Sequence, residues 1–165
     1  MSLHAIVEER PRGGSHAGYL ETLGLVERLH RLLLDVIKDE FERLGQIEIN
    51  AVQALLLFNV GENEVSAGEL KSRGYYQGSN VSYNLKKLVE LGYMHHERSE
   101  ADRRSVRVRL TGKGRAVRES VAALFRRHAD LLEARGVIGF PAGEDVNAVL
   151  RRLERFWTDQ IRYIY

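Results

Sequence analysis

Residues 102–114, with the sequence DRRSVRVRLTGKG, decide the fold of this chain. Valine and leucine alternate with arginine over residues 106–110, which is the period-two pattern of a β-strand with one buried face. Thr111 has the position and the hydroxyl group of a helix N-cap, and Gly114 leaves room for close packing at the start of that helix. The stretch therefore predicts the second strand of a β-hairpin that leads directly into a helix.

The tip of this hairpin is basic, because Arg103 and Arg104 follow Asp102 there. Guanidinium groups at a hairpin tip suit the negative potential of a DNA minor groove. An ordinary solvated basic turn has the same composition, so the tip alone does not separate the two interpretations. The sequence before the hairpin has to separate them.

Length and composition indicate one globular domain with a real core. The chain has 165 residues, of which 44% are hydrophobic and 29% are charged. It has no cysteine, which excludes disulfides, thiolate metal sites and thiol redox sensing. No apolar run approaches the roughly 20 residues of a membrane span, and the amino terminus lacks the apolar segment of a signal peptide. We therefore expect a cytoplasmic protein that does not contact a membrane.

Positive charge is concentrated in one part of the sequence. Residues 66–115 contain eleven basic and five acidic side chains, a net charge of +6, whereas the whole chain carries only +2. The remainder is therefore acidic, at −4. Such an asymmetry is typical of a chain in which one module meets nucleic acid.

Helical and strand patterns divide the chain into four segments. They are a flexible tail (1–18), an N-terminal dimerisation helix (19–47), a winged helix-turn-helix module (48–111) and C-terminal dimerisation helices (112–165). Inside the module, Asn50 with Gln53 and Ser66 with Glu69 form two capping boxes that predict helix starts. Glycines predict the helix ends. The predicted elements are helices over about 21–44, 50–60, 66–73, 78–91, 112–135 and from 144, and a hairpin over about 94–110.

The helix over residues 78–91 has two different faces. Val81, Leu85 and Leu88 fall on one face, and polar or basic residues fall on the other, with no acidic residue before Glu90. Hydrogen-bonding groups near the start and lysines beyond them suit a helix that reads base edges and meets phosphate. An ordinary solvated helix face is the alternative, although such faces usually mix Glu with Lys. The predicted DNA contacts in this region are Gln77, Ser79, Asn80, Ser82, Tyr83, Asn84, Lys86 and Lys87.

These motifs resemble the MarR family of dimeric winged helix-turn-helix transcriptional regulators. The resemblance is carried by VSYNLKKLVELGY at 81–93, by Arg98, by the Asp-x-Arg pattern at 102–104 and by the Leu-Thr-x-x-Gly pattern at 110–114. It extends over most of the chain. It implies a mainly α fold, in which a winged helix-turn-helix with one β-hairpin wing lies between long N- and C-terminal dimerisation helices.

The resemblance also implies a function. Family members act as homodimers on a pseudo-palindromic operator in double-stranded DNA, usually as repressors that a small molecule releases. Arg104 corresponds to the wing arginine that enters the minor groove, and Asp102 corresponds to the acid that orients it. The predicted DNA contacts in the wing are Asp102, Arg103, Arg104 and Arg107.

Apolar stripes on the terminal helices favour a homodimer, because a monomer would expose them as a large patch. The predicted dimerisation residues are Leu25, Leu29, Leu150, Leu153, Phe156, Trp157 and Ile161. A small apolar or aromatic effector would fit between the first long helix, the helix from Asn50 and the DNA-binding module, with Phe58 as a candidate wall.

No enzyme motif is present: the sequence lacks HExxH, the Walker A loop, GxSxG and GxGxxG. We therefore predict no catalytic residue, no cofactor and no metal ligand. A metal-responsive regulator remains an alternative, because His95 and His96 are adjacent, although neighbours on a strand point to opposite faces. His30 and His128, on the predicted dimerisation helices, are further candidate ligands. A winged helix that binds RNA or protein is the remaining alternative.

Overall fold

The structure is a computed structural model that describes residues 12–72, 78–98, 100, 106–137 and 143–164. The chain divides into two compact units, one that ends at Arg118 and one that begins at Glu119. Together the described residues form a mainly helical protein with a small antiparallel sheet, as the sequence predicts. The elements are α1 (Arg12–Arg43), α2 (Ala51–Val60), β1 (Val65–Ser66), α3 (Ala67–Ser72), α4 (Gly78–Glu90), β2 (Met94–Arg98), β3 (Val106–Leu110), α5 (Gly112–Ala134) and α6 (Gly143–Ile164).

Helix α1 is longer than the sequence pattern predicts. It begins at Arg12, so the predicted division between a flexible tail (1–18) and a helix from residue 19 is wrong at this boundary. Glycine weakens a helix by only about 1 kcal/mol per residue, so Gly13, Gly14 and Gly18 do not stop it. Pro11, which a helix interior disfavours, directly precedes the start.

The turn between α1 and α2 is closed by two local motifs. Gly45 takes a φ of +70°, and the amide of Gln46 donates to the carbonyl of Phe41 at 2.8 Å, which caps the end of α1. Asn50 and Gln53 form the predicted capping box at the start of α2: each side chain accepts a hydrogen bond from the backbone amide of the other. Both helix boundaries therefore follow from local sequence.

The sheet has the strand order β1-β3-β2. Strands β2 and β3 form the predicted hairpin, with Met94 opposite Leu110 and His96 opposite Val108. Strand β1 was not predicted, because two residues are too few to show an alternating pattern; Val65 pairs with Val108 on the other edge of β3. The pairing places β3 in the centre of the sheet, where Val108 and Leu110 are buried.

Every element of the first unit except the start of α5 contributes to its core at a position that is at most 4% exposed. These residues are Ile37 and Phe41 of α1, Leu56 and Leu57 of α2, Val65 of β1, Leu70 of α3, Leu88 of α4, Met94 of β2 and Val108 of β3.

In the second unit, Val121 and Leu124 of α5 are buried. Helix α6 carries an apolar stripe that is largely exposed and includes Val146, Val149, Leu150, Phe156 and Ile161. No helix among the described residues is both long and apolar enough to span a membrane.

Candidate nucleic-acid interface

Helix α4 has the two faces that its sequence predicts. Val81, Leu85 and Leu88 are buried. On the other face Tyr83 is 68% exposed, and Asn80, Lys86 and Lys87 are exposed as well. The first turns of α4 therefore present hydrogen-bonding groups to solvent, and the lysines follow one turn later. Ser79 lies in the first turn of α4, but its side chain and the whole of Gln77 are outside the described residues.

Local hydrogen bonds fix the two ends of the helix-turn-helix, which are the start of α3 and the turn after α4. Ser66 and Glu69 form the second predicted capping box: the Glu69 amide donates to Ser66 Oγ at 3.0 Å, and the Ser66 amide donates to a Glu69 carboxylate oxygen at 3.3 Å. Gly92 takes a φ of +81° after α4, and the Tyr93 amide donates to the Leu88 carbonyl at 2.9 Å. The predicted end of α3 at Arg73 and Gly74 lies outside the described residues.

Two of the α4 residues that the sequence predicts as DNA contacts, Asn84 and Ser82, have different surroundings from the others. Asn84 is only 8% exposed. Its side chain accepts a hydrogen bond from Gln53 and donates one to the carbonyl of Asn80. The prediction that Asn84 contacts DNA is therefore wrong: three residues after Val81 and four before Leu88, Asn84 lies on the core face of the helix. Ser82 is exposed and lines, with Leu85, Lys86, Val106 and other residues, a cavity of about 460 Å³ between α4 and the sheet.

The hairpin presents its arginines on the exposed face of β3. Arg107 lies 3.9 Å from Glu64, and Arg109 lies 3.6 Å from Glu97, with all four side chains well exposed. Exposed pairs of this length contribute little to stability, so either arginine is available to a phosphate. The hairpin tip, with Asp102, Arg103 and Arg104, lies outside the described residues.

The junction between β3 and α5 ties the start of α5 to the end of α4. Thr111 is the predicted N-cap: its hydroxyl accepts from the Gly114 amide at 3.1 Å and donates to the Gly92 carbonyl at 2.7 Å. A Cβ atom on Gly114 would lie 2.1 Å from the carbonyl oxygen of Tyr93. Only glycine allows the backbone to approach this closely, which explains why the Leu-Thr-x-x-Gly pattern ends in glycine.

A charged cluster that the sequence did not reveal joins the same junction to the α1–α2 turn. Lys113 Nζ lies 2.8 Å from a Glu48 carboxylate oxygen and 4.2 Å from the centre of the Tyr93 ring. The Tyr93 hydroxyl donates to the same carboxylate. Hydrogen bonding to Lys113, and then to Tyr93, lowers the pKa of Glu48, and the bond to Glu48 raises the pKa of Lys113. No local pattern could have indicated this cluster, because its members are far apart in sequence.

The cluster borders a cavity of about 360 Å³. Its walls include Phe41 of α1, Ile49 of the turn and Val117 of α5. Phe58, the predicted wall of an effector site, is half-buried in α2 and is not among the lining residues of this cavity.

Most of the predicted dimerisation residues are exposed within the chain. Leu25, Leu29, Leu150, Phe156 and Ile161 are between 41% and 62% exposed. Leu153 and Trp157 are half-buried.

The histidines form no metal site in the part of the chain that the structure describes. His95 and His96 are both exposed on β2. His30 of α1 is exposed and His128 of α5 is half-buried.

Comparison with known proteins agrees with this geometry. Residues 49–114 match a family described as a winged helix DNA-binding domain. Over 157 residues the chain is 34% identical to the exopolysaccharide II synthesis transcriptional activator ExpG of Rhizobium meliloti (strain 1021), a match that covers 95% of this chain and 80% of that protein. This chain belongs to the MarR family of winged-helix transcriptional regulators.

Solved structures show the same fold. A MarR transcriptional regulator from Methanosarcina mazei Go1 superposes with a TM-score of 0.66 at 23% identity, over 84% of this chain and 98% of that one. FabT of Streptococcus pneumoniae, solved in complex with DNA, superposes with a TM-score of 0.63 at 20% identity, over 86% of this chain and 98% of that one. As a MarR-family member, the chain is a DNA-binding transcriptional regulator and not an enzyme.

Proposed function

We propose that this MarR-family chain acts as a homodimer on a pseudo-palindromic site in double-stranded DNA, with α4 in the major groove. The exposed face of α4 carries this proposal. Asn80 and Tyr83 offer donors and acceptors to base edges, and Lys86 and Lys87 offer cations to phosphate. Because Glu90 is the only acid of the helix and stands at its end, no carboxylate repels the DNA along this face.

The wing completes the proposed interface. We assign Arg104 to the minor groove and Asp102 to its orientation, as the family pattern implies, and Arg103 and Arg107 to phosphate. The DNA-bound solved structure of FabT, which shares the fold, supports duplex DNA rather than RNA as the partner. A partner of this kind would place the protein in the cytoplasm.

Two exposed apolar stripes support the homodimer. One lies on α1 and includes Leu25, Leu29 and Leu32; the other runs along α6. Burial of apolar surface contributes about 25 cal/mol of stabilisation per Å². Association with a second copy that covers either stripe is therefore more favourable than leaving the stripe in water. We therefore propose dimerisation through residues 19–47 and 112–165, and DNA binding through residues 48–111.

The direction of regulation has two candidates. The family resemblance predicts a repressor that a small apolar or aromatic effector releases, and the 360 Å³ cavity beside Phe41 and Lys113 offers room for such a molecule. The name of the 34% identical relative, a transcriptional activator, favours activation. A reporter gene fused to the bound promoter decides between them, because expression falls on deletion of an activator and rises on deletion of a repressor.

Selection from random duplexes, followed by fluorescence anisotropy, tests the proposed role of α4. Tyr83→Ala should lower affinity for the selected duplex more than affinity for random DNA, whereas Lys87→Ala should weaken both about equally and reduce the salt dependence. Binding of wild type should also fall steeply with salt. The opposite pattern for the two variants would show that α4 does not read bases with this face.

A further inference from the structure

One position on the core face of α4 is polar. Asn84 lies beside Val81, Leu85 and Leu88 on that face and is as buried as Leu85. Asparagine is a poorer helix former than leucine, and a buried amide costs free energy unless it is hydrogen-bonded. Neither helix formation nor packing therefore accounts for an amide here.

The Asn84 amide belongs to a relay that begins at the first turn of α2. The Asn50 backbone amide donates to Gln53 Oε1 at 3.1 Å, and Gln53 Nε2 donates to Asn84 Oδ1 at 3.2 Å. Asn84 Nδ2 then donates to the carbonyl oxygen of Asn80 at 2.9 Å. Gln53 and Asn84 are 6% and 8% exposed. Each amide thus uses one donor and one acceptor, and the relay ends on the backbone of a residue whose side chain faces solvent in the first turns of α4.

The relay admits fewer arrangements than the apolar contacts around it. Gln53 is itself held by the capping box, so its Nε2 is fixed relative to the start of α2. A rotation of α4 about its axis, or a slide along it, moves Asn84 Oδ1 away from that donor and leaves a buried donor on Gln53 and a buried acceptor on Asn84 unsatisfied. Apolar side chains such as Val81 and Leu88 tolerate small shifts by repacking, because their contacts have no direction.

We propose that Gln53 and Asn84 are positioning residues that fix the rotation and the depth of α4, and thereby determine how well the protein distinguishes its DNA site from other sequences. The inference rests on the proposed reading role of α4. A pair of apolar side chains of similar volume would hold the two helices together as well or better. The polar pair instead fixes the position of α4 relative to α2, in the way that a single buried asparagine fixes the register of a coiled coil.

The test separates geometry from stability with three variants and two controls. Asn84→Leu and Gln53→Met each remove one partner, and the double variant replaces the pair by apolar side chains. Leu88→Ala, at a fully buried position of the same helix, is the matched control for lost stability. Tyr83→Ala is the control for the reading role of α4. For each protein, Tm is measured by thermal unfolding, and the ratio of affinities for the selected duplex and for a random duplex is measured by anisotropy.

The single variants should lower both Tm and the affinity ratio. The double variant should regain most of the Tm that the single variants lose, because no buried side-chain amide is left unsatisfied and only the capping bond from the Asn50 amide to Gln53 is missing. It should nevertheless keep an affinity ratio about tenfold below wild type, which is the loss expected when one base contact is misplaced. Leu88→Ala should lower Tm and leave the ratio unchanged.

Two results would overturn the proposal: a double variant with the wild-type ratio, or a Leu88→Ala ratio as low as that of Asn84→Leu. If Tyr83→Ala lowers the ratio while the double variant does not, the relay lacks this role but α4 still reads bases. If neither variant lowers it, the reading role of α4 fails as well.

Discussion

Glu48 and Lys113 form an ion pair of 2.8 Å that joins the α1–α2 turn to the first turn of α5. Lys113 also donates to the carbonyl of Leu91 at 3.0 Å, directly after α4. Lys113 thus links three segments: the α1–α2 turn, the residue directly after α4, and the first turn of α5. Both side chains are about half exposed, so the link is open to solvent and responds to pH.

Stability should depend on this pair in a defined pH window. The pKa of Glu48 is lowered, mainly by the hydrogen bond to Lys113. The contribution of Glu48 to folding stability is therefore complete above the ordinary carboxyl pKa and is lost as pH falls through the lowered pKa. The pKa of Lys113 is raised, mainly by the hydrogen bond to Glu48. The contribution of Lys113 to folding stability therefore persists until pH rises through that raised pKa. The difference in Tm between wild type and Glu48→Gln should therefore be largest near neutral pH and shrink in acid.

Glu42→Gln is the matched control, since Glu42 meets Lys38 at 3.8 Å on an exposed helix surface. It should change Tm little at any pH, because such pairs are worth little. A Glu48→Gln difference that stays constant from neutral to strongly acidic pH would show that the ion pair does not stabilise the fold.

Gly114 should tolerate no side chain. Gly114→Ala places a Cβ 2.1 Å from the Tyr93 carbonyl oxygen, so the α5 start must move away from the end of α4. We expect a loss of about 1–3 kcal/mol in the free energy of unfolding, the range for overpacked sites, measured by urea denaturation. Gly112→Ala is the control two residues earlier, where the nearest atom is 4.0 Å away; it should be neutral or stabilising by up to about 1 kcal/mol. Equal effects of the two changes would contradict this account.

The exposed stripe of α6 should control association. Phe156→Asp puts a charge on the stripe and should shift a dimer toward monomers or unfold it, because a buried charge without a partner is costly. Arg155→Asp changes the opposite side of the same helix and should leave the sedimentation coefficient unchanged. If Phe156→Asp sediments like wild type as a dimer, the interface lies elsewhere.

The two wing arginines should differ in their contribution to binding. Arg104→Ala should cost about 1–3 kcal/mol of affinity for the selected duplex, the range of a specific contact, while Arg103→Ala should cost less. Asp102→Ala should reproduce part of the Arg104→Ala loss, because a charge-assisted bond no longer holds that arginine. Anisotropy on one duplex compares the three variants. Equal losses at both arginines, or none, would identify the wing as a solvated turn.

Sequence patterns were reliable wherever a short stretch contains the whole physical cause. The capping boxes at Asn50 and Ser66 form because donor and acceptor are three residues apart. The alternation of β3 and the two faces of α4 follow from the periods of strand and helix. The start of α1 was misplaced, because isolated glycines weaken a helix without ending it.

The sequence by itself determined the order of the helices and of the hairpin, the local caps, the exposed face of α4 and the family. The helical period already places Asn84 on the face of Val81 and Leu88, so its assignment to the DNA contacts was an error of sequence interpretation. Only the tertiary structure decided that Asn84 meets Gln53, that Val65 joins the sheet, and that Glu48, Tyr93 and Lys113 meet. The physical reason is distance along the chain. A cap or a helical face is specified by neighbours within about one turn, whereas a hydrogen bond between α2 and α4 depends on how the whole core packs.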